Sequence, residues 1–429
     1  MSPVVLFLLQ AMFLVVVPFA IRSIPFVRRI LPLVVLQILL GIALGPTVLE
    51  RVSPGTATLA VPPGSLERLS GLSWLAVMVF TFVAALHLDL QEFAHKSRSF
   101  FAIGLSSMIT PFIAGVGVGF WALGRFPGLM GPKADAITFV VALGVCLSTT
   151  ALPVLAALLR ETGLITQPLG RQAMGYAALN DLLLWMVIIA LLTVLGGSHD
   201  GIETFIASTL SSVLYIGLMA FGVRPLIGRA FHRARQNGSG PHDRETILAC
   251  VTLFGSALIT EMLGLHYLIG AFIAGVVMPA EVKASIAARF ESMTVVILLP
   301  FYFIVTGLKV TIDVGSADAI FFFSVVSLVA AGSKIIGTAV PARLSGQTWP
   351  DALYLGALMQ SKGLMEVVIL TVLLDADLIS SAVFSALVLM ALVTTTLTLP
   401  LAHGMSRVAA RITSAAMPPA ASFSSEIRR

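Results

Sequence analysis

The sequence predicts an all-α polytopic membrane protein with about thirteen transmembrane helices, built from inverted repeats. Of its 429 residues, 58% are hydrophobic and only 11% are charged, whereas soluble domains carry roughly 25% charged residues. Apolar runs of about 20 residues, the length that crosses a bilayer, recur along the whole chain. Two of these runs are interrupted by polar residues near their middle, at corresponding places in the two halves of the chain.

Each apolar run is predicted to form one membrane-spanning helix. The runs cover approximately residues 3–20, 29–48, 71–88, 99–122, 136–159, 172–195, 204–223, 246–263, 266–280, 292–311, 318–340, 352–374 and 379–402. Because the number of runs is odd, we expect the two termini on opposite sides of the membrane.

The loops between the runs carry Lys and Arg unequally. With the N-terminus outside, nineteen of the 26 basic residues lie on the cytoplasmic side, and Lys334 and Lys362 lie within spans. The remaining five lie outside: Arg51, Arg68, Arg125, Lys133 and Lys309. This bias follows the positive-inside rule. It predicts a multi-pass protein of the inner (plasma) membrane with an external N-terminus and a cytoplasmic C-terminus.

The composition also argues against other classes of protein. A net charge of +5 and a pI near 9.5 would suit nucleic-acid binding, but these basic residues lie in short loops that set topology. Cys146 and Cys250 lie in apolar runs, which argues against a disulfide framework or a resident metal site. No nucleophile or cofactor motif occurs in the sequence. We therefore expect no enzyme activity, no cofactor and no nucleic-acid partner.

The chain is predicted to form one transmembrane domain, residues 1–403, and a short cytoplasmic tail, residues 404–429. The sizeable polar loop at residues 232–245 is interpreted as a linker between two halves. The tail is rich in Ala, Ser, Pro and Arg, which is typical of disorder. No soluble regulatory domain is expected after it.

Two interrupted spans predict where the functional site lies. The fifth span contains CLSTTALPVL (146–155), and the twelfth contains MQSKGLMEV (359–367). The two spans are an odd number of spans apart, so the three-helix units around them would run in opposite senses across the membrane. Paired interruptions in inverted halves are typical of a transport site near the bilayer midplane.

Asp181 is the first candidate residue. It lies within the apolar segment AMGYAALNDLLLWMVIIALL, and a carboxylate at that depth costs at least about 2.5–3.5 kcal/mol to insert. Because burial favours the neutral carboxyl group, such a residue can hold a proton and a cation in turn, which predicts ion or proton handling. The structural alternative is that Asp181 satisfies a neighbouring helix's backbone or pairs with a buried lysine.

Ser148, Thr149 and Thr150 are predicted to lie at mid-membrane in the fifth span. Pro153 follows them, and a proline clashes with the carbonyl one turn earlier. Freed carbonyls and small hydroxyls would form an oxygen-rich site that suits an alkali cation. The alternative is a simple proline kink in which the hydroxyls bond back to the helix.

Four further residues support the candidate site. Asn180 could bind the ion or bond to a neighbouring helix, and the residue types leave both open. Lys334, within SLVAAGSKIIGTAVPARL, could counter Asp181, exchange a proton itself or offset the negative end of a half-helix; we favour the electrostatic, structural role. Lys362 and Glu366 are four residues apart on one helical face, so we expect an internal ion pair.

Several motifs together resemble one known family. They are GVCLSTTALPVL, ALNDLLLW, HYLIGAFIAGVVMP, PFYFIVTGLKV and SKIIGTAVPARLSGQTWPDALYLGALMQSKGLMEVVIL. As a set they resemble the monovalent cation:proton antiporters of the sodium/hydrogen exchanger superfamily, most closely its Kef-type and plant cation/H⁺-exchanger branch.

The resemblance implies a thirteen-helix homodimer in which the fifth and twelfth spans are crossed and unwound. Core helices, at about residues 99–195 and 318–402, would move like an elevator against dimerisation helices at about 3–88 and 246–311. By the same resemblance Asp181 matches the essential ion-binding aspartate, Thr149 and Thr150 match the polar stretch at the first crossover, and Lys334 matches the intramembrane basic residue.

Two departures from the family pattern bear on mechanism. Many electrogenic members have a second aspartate where this chain has Asn180, so the arrangement resembles electroneutral exchangers. The family often has Arg-Gly in the second break, where this chain has Lys362-Gly363, and Lys cannot reproduce the planar fork of Arg.

The sequence is therefore interpreted as a secondary antiporter that exchanges Na⁺ or K⁺ for H⁺, with 1:1 electroneutral stoichiometry. Its predicted partners are the two transported ions, the lipid bilayer and a second copy of the chain. The alternatives are a K⁺ efflux pathway with channel-like behaviour, and a sodium-coupled symporter of organic solutes with a related core fold.

Overall fold

The protein is helical throughout its regular structure. The computed structural model describes residues 2–45, 48–49, 65–87, 97–126, 128–161, 164, 167–198, 210–211, 213–236, 241–263, 266–311 and 316–416. In chain order the helices are α1 Pro3–Arg22, α2 Pro25–Ile30, α3 Leu33–Leu44, α4 Ser65–Leu86, α5 Arg98–Arg125, α6 Ala136–Ser148, α7 Leu152–Glu161, α8 Pro168–Ser198, α9 Arg224–Gln236, α10 Pro241–Met262, α11 Tyr267–Val277, α12 Ala280–Met293, α13 Leu299–Lys309, α14 Ala317–Leu344, α15 Trp349–Leu358, α16 Leu364–Asp375 and α17 Ser381–Ala416. Arg51, residues 237–240 and residues 417–429, about which the sequence made predictions, lie outside the described residues.

The predicted fold class is confirmed. Within the described residues, eight helices are long and apolar enough to cross a membrane. Shorter apolar helices accompany them, among them Leu33–Leu44 and Tyr267–Val277. The fifth and twelfth predicted spans are each divided into two short helices. The total of thirteen spans remains a prediction.

Several predicted boundaries are wrong in the same direction, because the helices continue beyond their apolar runs. The predicted linker at 232–245 is helical at both ends, since α9 reaches Gln236 and α10 begins at Pro241. The tail begins as a continuation of α17, which extends to Ala416. An apolar run in the sequence ends at the first charged residues. The helix itself can continue past them, because Arg, Glu, Lys and Ala are good helix formers.

The tenth span also begins earlier than predicted. Residues Ala280 to Lys309 form one continuous helical segment, in which α12 and α13 are joined by a π-helical turn, Thr294–Leu298. A similar turn, Leu218–Val223, precedes α9. A π-turn accommodates extra backbone within a helix, and hydropathy contains no signal for it.

The helices form two groups. The first, called the core group, consists of α5–α8 and α14–α17; the second group consists of α1–α4 and α9–α13. Among the described residues, each extensive helix–helix packing contact lies within one group or the other. The two broken helices, α6–α7 and α15–α16, both belong to the core group.

Glycines allow very close helix contacts within each group. In the second group, a Cβ atom on Gly41 of α3 would collide with the backbone carbonyl of Ile304 in α13. In the core group, a Cβ atom on Gly144 of α6 would lie 2.9 Å from the carbonyl oxygen of Phe112 in α5. Small residues permit this backbone approach in membrane helix packing, so α13 and α6 are held firmly by their neighbours.

Candidate ion-binding site at two helix breaks

The first break separates α6 from α7. Asp135 caps the start of α6, and its side chain accepts a hydrogen bond from the Thr138 amide at 2.7 Å. It ends at Ser148, after which Thr149 adopts an extended conformation. Pro153 lies in the first turn of α7, where a missing amide hydrogen costs nothing. The proline therefore starts a second helix instead of kinking a continuous one.

The second break separates α15 from α16. Gly363, immediately before α16, has a φ angle of 144°, a conformation that favours glycine. The glycine therefore sets the direction in which α16 leaves the break.

The two breaks contact each other directly. The Ala151 amide donates a hydrogen bond to the Ser361 carbonyl oxygen at 2.7 Å. The Thr150 hydroxyl donates to the Met359 carbonyl oxygen at 3.0 Å. Two positions that are more than 200 residues apart in sequence are thus joined through their unwound backbone.

Two lysines satisfy the C-terminal carbonyls of α6. Lys362 Nζ donates to the carbonyl oxygens of Cys146 at 3.0 Å and Leu147 at 3.2 Å. Lys334 Nζ donates to the Ser148 carbonyl oxygen at 2.5 Å. The final carbonyls of a helix lack partners within it and carry partial negative charge. Both fully buried ammonium groups therefore lie where a half-helix needs positive charge.

The predicted ion pair between Lys362 and Glu366 is present. Lys362 Nζ lies 3.1 Å from Glu366 Oε2, and both side chains are fully buried. Thr149 Oγ1 lies 3.0 Å from the same carboxylate oxygen and 3.2 Å from Lys362 Nζ. The first break is thereby attached to the charged pair of the second. Glu366 Oε1 has no hydrogen-bond partner among the described residues.

Asp181 lies in α8, opposite the first break, with only 3% of its surface exposed. Its carboxylate accepts a hydrogen bond from the Leu152 amide at the start of α7 and interacts electrostatically with Lys334. Asp181 Oδ1 has no hydrogen-bond partner within the described part of the chain. A buried carboxylate oxygen without a donor is costly. Asp181 Oδ1 and Glu366 Oε1 are thus two buried carboxylate oxygens at the breaks that lack a donor among the described residues.

Asn180 points to a different neighbour. Its side-chain amide donates to Ser107 Oγ of α5 at 3.0 Å. This is the interhelical hydrogen bond that the sequence left open as one of two alternatives. Ser107 itself was missed, since a lone serine in an apolar span carries no distinguishing signal.

The hydroxyl groups at the first break donate their hydrogen bonds to other groups of the protein. Ser148 donates to the Val145 carbonyl oxygen at 2.8 Å, and Thr150 donates to Met359. A hydroxyl has one hydrogen and two lone pairs, so donation leaves oxygen lone pairs as the groups that a cation could use.

Other polar residues at the second break were not predicted. Thr395 of α17 donates to the Lys362 carbonyl oxygen at 2.6 Å, and Gln360 donates to the carbonyl oxygen of Ala331. Ser361 Oγ is buried without a hydrogen-bond partner among the described residues. The run of three threonines at 394–396 in an apolar span is the signal that could have identified Thr395.

Comparison with known proteins identifies the family. Residues 11–403 match the family described as "Sodium/hydrogen exchanger, transmembrane". Cation/H(+) antiporter 19 of Arabidopsis thaliana is 32% identical over 376 residues, which cover 86% of this chain and 46% of that protein. K(+)/H(+) antiporter 1 of Saccharomyces cerevisiae is 30% identical over 93% of this chain and 46% of its own length. The chain thus spans about half the length of these two relatives.

A shorter relative and a solved structure match along nearly their full lengths. Na(+)/H(+) antiporter NhaS4 of Synechocystis is 30% identical over 88% of this chain and 91% of that protein. The structure of the sodium proton antiporter MjNhaP1 from Methanocaldococcus jannaschii superposes with a TM-score of 0.66. The superposition covers 96% of this chain and 99% of the MjNhaP1 chain, at 13% sequence identity. This similarity supports the fold. The chain is a multi-pass membrane protein and belongs to the sodium/hydrogen exchanger family of transporters.

Proposed function

We propose that the protein is a secondary antiporter that exchanges Na⁺ or K⁺ for H⁺ by alternating access, and that it is a transporter without enzymatic activity. The observation that carries this proposal is the buried carboxylate of Asp181, which accepts from the Leu152 amide at the start of α7 and whose Oδ1 has no donor among the described residues. The relatives named as Na(+)/H(+) and K(+)/H(+) antiporters support it.

The exchange follows from competition for one carboxylate. Protonated Asp181 is neutral, and a cation can bind only when that proton leaves. Oxygen lone pairs of Ser148, Thr149 and Thr150 complete the ligand set on one side, since these hydroxyls donate their hydrogens elsewhere. Hard oxygen ligands suit alkali cations.

The remaining polar residues support Asp181 without binding the ion. Lys334 and Lys362 stabilise the C-terminal end of α6, and Glu366 compensates Lys362. Asn180, bonded to Ser107, holds α8 against α5. If Lys334 keeps its proton throughout, Asp181 alone alternates between one H⁺ and one cation, and the cycle is 1:1 and electroneutral.

The two helix groups suggest how access alternates. We assign the core group as the moving domain, and the helices at 3–88 and 246–311 as the dimerisation domain of a homodimer in the lipid bilayer. The bias of basic residues supports an external N-terminus and a cytoplasmic C-terminus in the inner (plasma) membrane.

Reconstitution tests the proposed activity. Proteoliposomes with a trapped pH dye should show proton movement when Na⁺ or K⁺ is added outside, and adding Li⁺ in turn ranks selectivity. Cation flux that ignores an imposed pH gradient would favour the channel-like K⁺ pathway. Flux that requires an organic solute would favour the symporter.

A further inference from the structure

We propose that a cavity between α9 and the start of α12 binds the headgroup of one phospholipid, of the class that carries a phosphate and a primary ammonium group. The cavity lies in the second group of helices. Of the described residues that line it, none belongs to the two helix breaks. The proposal therefore concerns a second site and does not depend on antiport.

One face of α9 forms one wall of the cavity. The residues of this wall recur at the spacing of a helical face: Arg224, Pro225, Gly228, Phe231 and His232. The opposite wall consists of Pro279, Ala280, Glu281 and Val282, where α12 begins. The volume of the cavity is about 590 Å³, within the roughly 300–1,000 Å³ of sites that hold small molecules. A lipid headgroup can therefore enter it.

Gly228 lies in the middle of the α9 wall. A Cβ atom at this position would meet no heavy atom within 4 Å, whereas Gly41 and Gly144 allow close helix contacts. A glycine in a helix interior destabilises the helix by about 1 kcal/mol relative to alanine. The missing side chain at Gly228 thus leaves space in the cavity, and a larger residue there would fill that space.

The two walls carry residues of opposite charge. Arg224 of α9 has a planar fork of N–H donors, which matches a phosphate group. His232 of the same wall has ring nitrogens that can also donate to a phosphate. On the other wall, the carboxylate of Glu281 would accept hydrogen bonds from a primary ammonium group. A headgroup with a phosphate and an ammonium group therefore satisfies both walls, whereas a second negative charge would be repelled by Glu281.

The cavity lies where an apolar segment ends. The seventh predicted span, residues 204–223, ends immediately before Arg224. Phe221 is 86% exposed and Leu226 is 60% exposed, so apolar surface flanks Arg224 on both sides in sequence. Basic pockets between membrane helices are sites for lipid headgroups. The flanking apolar side chains favour a phospholipid over a soluble phosphate compound, because acyl chains would cover them.

The thermal unfolding midpoint of delipidated protein in detergent tests the proposal. Phosphatidylethanolamine, phosphatidylcholine or phosphatidylglycerol is added in mixed micelles, and a lipid that binds the folded protein raises the midpoint. Phosphatidylcholine has no ammonium hydrogen to donate, and phosphatidylglycerol has no ammonium group. We therefore expect phosphatidylethanolamine to reach half-maximal stabilisation at a concentration about tenfold lower than either.

Two substitutions should weaken this binding. Arg224→Gln removes the charged donor to the phosphate, and Gly228→Leu places a side chain in the cavity. Each should raise the phosphatidylethanolamine concentration at half-maximal stabilisation by about tenfold, and Glu281→Gln should remove most of the preference over phosphatidylcholine. Arg229→Gln is the matched control, since Arg229 belongs to the same helix but not to the lining of the cavity. It should behave like the parent.

The outcomes separate a built site from general attraction to lipid. Equal losses in Arg224→Gln and Arg229→Gln would indicate diffuse attraction and overturn the site, as would unchanged binding in Gly228→Leu. Arg224→Gln replaces an exposed side chain, so it decides the question even if Gly228→Leu fails to fold. Equal stabilisation by the three lipids, or none by phosphatidylethanolamine, overturns the assigned headgroup. Equal stabilisation by phosphoethanolamine without acyl chains overturns the phospholipid as the source.

Discussion

At the scale of single residues, two buried carboxylates at the breaks each keep one oxygen without a hydrogen-bond partner among the described residues, Asp181 Oδ1 and Glu366 Oε1. Glu366 is compensated by its ion pair with Lys362 at 3.1 Å, whereas Asp181 forms no ion pair of that kind within the described residues. Buried polar atoms are normally hydrogen-bonded. The lower compensation of Asp181 supports its proposed role as the group that takes up a proton or a cation.

Asp181→Asn should abolish exchange and leave folding intact. Without the carboxylate nothing at this position binds H⁺ and a cation alternately, and the amide avoids the cost of burying a charge. Proton movement in proteoliposomes should fall to that of empty liposomes, and the thermal unfolding midpoint in detergent should stay equal or rise. Exchange near the parent rate would exclude Asp181 as the carrier.

Lys334 decides whether the cycle moves net charge. If its ammonium group only supports the end of α6, a potential set by K⁺ and valinomycin should leave Na⁺/H⁺ exchange unchanged. A charge that moves across the membrane would couple at about 2.3 kcal/mol per 100 mV. A clear voltage dependence that disappears in Lys334→Gln would instead make Lys334 a proton carrier.

At the scale of elements, each break is a pair of half-helices held by the other pair. The Ala151–Ser361 backbone bond and the Thr150–Met359 bond replace hydrogen bonds that a continuous helix would have made internally. Lys362 contributes to both breaks, since it pairs with Glu366 and bonds to Cys146 and Leu147. The crossing is therefore one bonded unit.

Lys362→Met should destabilise the protein strongly. It leaves Glu366 buried without its counter-charge, which costs about 3–5 kcal/mol, so the thermal midpoint in detergent should fall sharply. The double variant Lys362→Met/Glu366→Gln should recover much of the loss, and Lys362→Arg, which keeps the charge, should stay near the parent. Equal midpoints for the single and double variants would contradict a coupled pair.

The sequence predicted those residues of the site that are energetically costly to place inside a membrane. Asp181, Lys334 and the interrupted motifs stand out because charges and helix breakers are rare in apolar spans. Ser107 and Thr395 were missed because a hydroxyl in such a span is ordinary, and only the fold brings them to Asn180 and Lys362. The predicted helix ends were wrong for a related reason. Hydropathy indicates where the chain meets water, whereas a helix ends where its backbone hydrogen bonding stops.

At the scale of the whole molecule, extensive helix packing among the described residues lies within each of the two helix groups. Contacts between the groups include the ion pair of Lys309 with Asp375 at 3.6 Å and the 3.2 Å hydrogen bond between Tyr302 Oη and Thr371 Oγ1. An exposed ion pair contributes at most about 1 kcal/mol, and a single neutral hydrogen bond about as much. This division supports the proposed movement of the core group against the second group.

The proposed orientation of the whole molecule rests on the distribution of its basic residues. Cysteines placed one at a time in residues 232–236 and 241–245 should react only from the cytoplasmic face, and one at Lys133 only from outside, in intact cells with an impermeant reagent. External labelling at residues 241–245 would reverse the assigned topology and remove the support for inverted repeats.

The π-helical turn at Thr294–Leu298 takes up one extra residue within one membrane helix. An extra residue in a regular α-helix would turn the following segment by about 100°, whereas the wider π-turn absorbs it. Gly307 of α13 therefore stays against α3 while Arg289 of α12 keeps its 3.1 Å contact with Glu245. Deleting Val296 should convert the turn into a regular α-helical one and lower the thermal midpoint little more than Val296→Ala does; a far larger loss would contradict this. One wide turn thus lets a helix carry an additional residue without turning either end away from its partners.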